Sequence, residues 1–169
     1  MIGFMAKSDS FFIRATLDTS GPYAESEIDL GAYVDALGKS VLKIHNVQVN
    51  FQNATALQRP PEYNAGTGAD ISWQLTTQSQ AGIVRPSNRS VVSAGLVQYA
   101  EATAGQISSE SSGLNVQHFT DGYLIAVEQM FLGAQQTGVV NASAVSIVME
   151  CTVESLTQSA AMALALSQQ

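Results

Sequence analysis

One stretch, "SVLKIHNVQVNFQ" at residues 40–52, restricts what this chain can fold into more than any other. Its apolar residues alternate as on a strand with one buried face, but in two phases. Leu42 and Ile44 share one phase; Val47, Val49 and Phe51 share the other. A period-2 strand cannot bury both sets on one face without an extra residue. The stretch therefore predicts a long strand with a β-bulge or bend near His45–Asn46. A strand that bends and continues is how a jelly roll or barrel turns a corner.

The rest of the chain repeats the same theme of short apolar stretches between turn-rich loops. In "SFFIRATLD", Phe11, Ile13, Ala15 and Leu17 share a face. Gly21-Pro22 then breaks the run, and "SEIDLGAYV" follows with Ile28, Leu30, Ala32 and Val34 in phase. A long loop, "NATALQRPPEYNAGTGA", leads to "DISWQLTTQ", whose Ile71, Trp73 and Leu75 point inward. After the loop "QSQAGIVRPSNR" comes "SVVSAGLVQYA", interrupted by Gly95, and then "EATAGQISSESSG", which reads as a polar loop. Asp121-Gly122 marks a turn between "LNVQHF" and "YLIAVEQMFLG". The last strand is the cleanest, with Val145, Ile147, Met149, Cys151 and Val153 on one face.

Past that strand the period changes. Ser155 and Gln158 fit a capping box. Leu156, Ala160 and Leu164 then recur at helical spacing, with Met162 and Leu166 beside them. The tail reads as an amphipathic helix of about three turns, too short to stand without packing. The chain is expected to be one all-β domain over residues 1–169. It divides into an N-terminal arm at 1–9, an eight-stranded antiparallel jelly-roll sandwich at 10–154 and a C-terminal helix at 155–169. A seven-stranded immunoglobulin-like sandwich is the nearest rival, but its cysteine–tryptophan–cysteine spacing is missing.

Composition bears on what the surface is for. Charged residues are only 12% of the chain, about half of the roughly 25% usual in soluble domains. Such a surface suits a subunit covered by its neighbours, because charge is depleted at interface cores. A secreted domain kept soluble by neutral polar groups is the other reading. The net charge is −7 and the seven basic residues are scattered, which argues against tight nucleic-acid binding. No apolar run reaches the roughly 18 residues that span a membrane, and "MIGFMAKSDS" has no signal-peptide cleavage pattern.

Chemistry is hard to find. His45 and His118 are two imidazoles where a metal site needs three or four convergent ligands. Cys151 falls on the inward face of the last strand and reads as a small core hydrophobe. "GTGAD" at 66–70 lacks the third glycine and the strand-to-helix setting of a nucleotide loop. Glu25, Glu27 and Asp29 alternate along the second strand, and such carboxylates either do acid–base or calcium work or form a solvated face. Asn53, Asn88 and Asn141 match the glycosylation acceptor pattern. No catalytic residue, metal, cofactor or small-molecule substrate is expected, and the chain reads as a non-enzyme.

The strand succession, the long loops and the final "SAVSIVMECTVES" running into "LTQSAAMALALSQQ" together resemble small single jelly-roll viral capsid proteins. The likeness is to subunits of membrane-containing bacterial and archaeal viruses, and it is architectural, with no signature residues to carry over. It implies self-assembly into an icosahedral shell and a virion location. It also implies partners that are copies of itself, with a second coat protein and an internal membrane as further contacts. On that reading the contact elements are Ile2, Phe4 and Met5 at one end and Leu156, Met162, Leu164 and Leu166 at the other. Docking of both ends on their own subunit is the alternative. A carbohydrate- or receptor-binding β-sandwich is the rival function, and it would use exposed aromatics such as Tyr23, Tyr63 or Tyr99.

Overall fold

The computed structural model describes residues 9–35, 37, 39–62, 68–103, 106–112, 116–139 and 141–169, with the backbone alone at 100–103 and 106–112. The described strands are β1 (Phe11–Thr19), β2 (Ala24–Asp29), β3 (Ser40–Asn53), β4 (Ala69–Thr76) and β5 (Val91–Thr103). They are followed by β6 (Gln106–Ser112), β7 (Val116–Ile125), β8 (Gln129–Thr137), β9 (Ser143–Ser155) and the helix α1 (Gln158–Ser167). The strands form two antiparallel sheets, ordered β1-β9-β3-β7 and β2-β8-β4-β5-β6. Their pairings are nested: β1 with β9, β2 with β8, β3 with β7, and β4 with β5.

The alternation read from the sequence is what buries the core. Ile13 and Leu17 of β1, Ile71, Trp73 and Leu75 of β4, and Val145, Ile147, Met149 and Cys151 of β9 meet in one cluster. The phase change in β3 is a bulge: the register with both β7 and β9 shifts between Ile44 and Asn46. The extra residue, His45, lets Leu42 and Ile44 join Val47 in the same core.

Several boundaries differ from expectation. Leu30 and Val34 are buried, but by a turn rather than a strand: β2 ends at Asp29, and the N–H groups of Tyr33 and Val34 both donate to Leu30 O. Residues 101–103 and 106–112 were expected in a polar loop but are strand: the first extend β5 and the second form β6 at the sheet edge. An edge strand needs backbone partners on one side only, so a polar composition does not forbid it. Asp121-Gly122 does not separate two strands. It lies within β7, in the stretch between His118 and Tyr123 that is looped out opposite the β3 bulge. Gly122 has φ +80°, and a Cβ there would run into the Lys43 side chain.

The helix also differs in detail. Ser155 still pairs with Ser40, and Leu156 N donates to Lys39 O, so the chain stays extended past the expected cap. Thr157 is the N-cap instead, its hydroxyl accepting from Ala160 N at 3.3 Å. The inward stripe is Ala161 and Ala165, packed on Val41 and Ala126 with Leu124, Leu156 and Leu164 around them. The expected stripe through Ala160 is rotated by one position because alanines let the helix approach the sheet closely.

Gln168, 5% exposed, fastens the helix end. Its side chain accepts from Ala126 N at 2.8 Å and donates to Leu124 O at 2.7 Å, standing in for a strand neighbour. Thr77 Oγ1 donates to Gln168 O at 3.0 Å. Gln168→Ala strands two backbone groups at once and is expected to cost about 1–3 kcal/mol, read as a lower urea midpoint with unchanged slope.

Candidate functional site

The helix covers its own chain, so the C-terminal members of the expected contact set divide. Leu156 and Leu164 are half-buried against the sheet. Met162 and Leu166 face outward at 44% and 68% exposure. No charged residue lies in α1, and none stands in its first or last turn as a dipole partner. Leu37 is also largely exposed, in the turn that leads into β3. Beside the helix runs an open groove of about 660 Å³, lined by apolar residues such as Phe131, Val127 and Ala165 and by polar ones such as Gln78, Glu128 and Gln129. This end of the molecule therefore presents an uncharged ridge next to a partly apolar groove. Ile2, Phe4 and Met5 lie outside the described residues.

A second built feature sits on the outer face of the five-stranded sheet. Gln74, fully buried, donates to Tyr23 Oη at 2.9 Å and to Gly82 O at 3.0 Å, and its Oε1 accepts from Val84 N at 2.9 Å. Tyr23 donates in turn to Glu25 at 2.9 Å, and Glu25 also accepts from Ser79 Oγ and from Gln80 N. The network straps the β4–β5 loop onto the sheet. Its geometry depends on Gly133, where a Cβ would collide with the Tyr23 ring and hydroxyl. Burial above all, together with the adjacent Glu25 carboxylate, pushes the Tyr23 pKa up to about 12 against the opposing bond from Gln74.

Every other group weighed for chemistry is either engaged structurally or set apart from the others. His45 bonds Thr152 Oγ1 at 2.8 Å, while His118 is exposed on β7. Glu27 accepts from Gln129 and Asp29 from Gly31 N, so the three β2 carboxylates go to three different partners. Among the described residues no three His, Cys, Asp or Glu side chains converge as a metal site. Cys151 is fully buried, and burial followed by the Glu150 charge pushes its thiol up to about 12. Asn53, 1% exposed, spends its Oδ1 on Thr55 N, Thr55 Oγ1 and Ala56 N, a turn that hides it from a glycosyltransferase. Asn88 and Asn141 are exposed.

Among the described residues the aromatic candidates for sugar binding are engaged within the fold. Trp73 is 3% exposed in the core, the Tyr23 hydroxyl is locked, and Tyr99 packs against the core. Tyr63 lies outside the described residues. No helix among the described residues is long and apolar enough to cross a membrane. The Gln168 clamp and the Gln74–Tyr23 strap escaped the sequence reading; Gly133 in the middle of an apolar strand was the one visible sign of a close approach. No protein-family description matches the chain, and no curated protein matches it.

Three outcomes follow from this geometry. Gly133→Ala forces Tyr23 off its bonds and is expected to cost about 1–3 kcal/mol, measured by chemical denaturation. Tyr23 ionises near 10 when unfolded and near 12 when folded, so its contribution is whole below pH 10 and is lost as pH rises toward 12. Tyr23→Phe should flatten that part of the stability curve in melts between pH 9 and pH 12. In the native protein Cys151 should react with a chromogenic thiol reagent about tenfold or more slowly than in denaturant.

Proposed function

We propose that this chain is a jelly-roll subunit that assembles with copies of itself into a shell of the viral capsid type. The observation that carries the reading is the nested pairing of β1 with β9, β2 with β8, β3 with β7 and β4 with β5. Rolling one long antiparallel hairpin into two sheets produces that nesting, and it is how jelly rolls shield their edges. On this reading β6 is an addition at the outer edge of one sheet.

The surface supports the same reading. A protein with only 12% charged residues leaves Met162, Leu166 and Leu37 exposed. Exposed apolar positions in a chain this poor in charge match the composition of interface centres. The role is structural rather than catalytic, and the location is the virion. Copies of the same chain are the primary partners; a second coat protein and an internal membrane are compatible additions, and genome contact is not tight.

Electron microscopy and light scattering of the purified chain test the reading. Regular particles are expected. Met162→Glu combined with Leu166→Glu should leave the fold within about 0.5 kcal/mol of the parent, since both sites are exposed, yet abolish the particles. A chain that stays monomeric at high concentration, or a double variant that assembles as the parent does, would overturn it.

A further inference from the structure

The end of the sandwich away from the helix is closed by polar side chains. The inward phase of β1 ends at Thr19, that of β9 begins at Ser143, and the two are register partners. Asn53, at the end of β3, is the next residue across, paired with Ser143 on its other side. Gln136, on the inward phase of β8, reaches the same place from the second sheet. Its N–H donates to Gly21 O at 3.1 Å, just beyond Thr19. Its Nε2 donates to Asn141 O at 3.0 Å, just before Ser143. Gln136 is thus tied to both strands that carry the other two side chains.

These groups are deeply buried: Thr19 and Ser143 are 0% exposed, Asn53 1% and Gln136 5%. Asn53 Oδ1 is fully used by its own turn. Thr19 Oγ1, Ser143 Oγ and Gln136 Oε1, in contrast, have no hydrogen-bond partner among the described residues. One such oxygen in a native interior calls for an explanation, and three gathered at one pole call for a common one.

The chemistry selects the occupant. All three ligating atoms are neutral oxygens, and Asp18, the neighbouring carboxylate on β1, is on the outward phase. Hard cations recruit charged carboxylates, so a metal ion is a poor match. A neutral molecule able both to donate and to accept fits. Gln136 Oε1 can only accept, whereas the two hydroxyls can do either. We propose that one ordered water molecule is bound here as part of the fold. It donates to Gln136 Oε1, accepts from the Thr19 hydroxyl, and takes Ser143 as its third partner. About three bonds is the usual complement of a buried water. The site pins the ends of β1, β8 and β9 to one another across the two sheets, and it does not depend on the assembly reading.

A crystal structure of the full chain at a resolution that shows solvent is the direct test. A single water peak within about 2.7–3.2 Å of all three oxygens is expected. Direct bonds among the three side chains, or to another protein group, with no such peak would overturn the proposal. In solution, a long-lived water should give cross-relaxation to the amide protons of Thr19 and Gln136. Thr19→Val keeps the shape and removes the hydroxyl, and Ser143→Ala is the gentler second probe. Each should weaken that signal and lower the folded-to-unfolded ratio by about 5- to 30-fold. A signal unchanged in both variants would equally overturn it.

Discussion

The structure depends on β9 being paired on both sides, with β3 along its whole length and with β1 from Ser143 to Cys151. Its register with β1 runs from Phe11–Cys151 to Thr19–Ser143, and with β3 from Ser40–Ser155 to Asn53–Ser143. A one-residue slip on either side would turn Val145, Ile147, Met149 and Cys151 out of the core. The β3 bulge is tolerated because it is shared: β9 and β7 both shift register at the same point. His45 and the looped-out stretch around Gly122 are the two sides of one irregularity, with Lys43 lying over Gly122 and bonded to Glu154 at 2.9 Å.

The two ends of the sandwich are closed by opposite means. At one, α1 lays Ala161 and Ala165 on Val41 and Ala126, and Gln168 satisfies backbone groups that no strand reaches. At the other, the buried polar side chains Thr19, Ser143, Asn53 and Gln136 lie at the strand ends. The first solution leaves Met162 and Leu166 outside, so closing the subunit's own core also creates the uncharged ridge through which we propose that copies meet. Docking on its own chain uses only one face of this helix, and the opposite face stays exposed.

The absence of convergent reactive groups among the described residues follows from how each polar side chain is spent. Glu25 holds the β4–β5 loop, Asn53 shapes a turn, and His45 bridges to Thr152 at the bulge. Structural duties of this kind tie loops and strand ends to the two sheets.

The strongly alternating strands, their inward faces and the bulge were legible in the sequence because each rests on period-2 burial, a local pattern. β1, β4 and β9 follow their alternation, and the phase switch at His45 appears where the apolar residues change sides. Boundaries and caps were not, because long-range pairing sets them. Ser155 stays in a strand because Ser40 pairs with it, and Gln106–Ser112 forms β6 because β5 offers an edge. The strap through Gln74, Tyr23 and Gly133, the clamp of Gln168 and the polar pole were decided by tertiary structure alone. Each joins residues far apart in the chain, and glutamine carries no periodic signal that would announce which backbone groups it will satisfy.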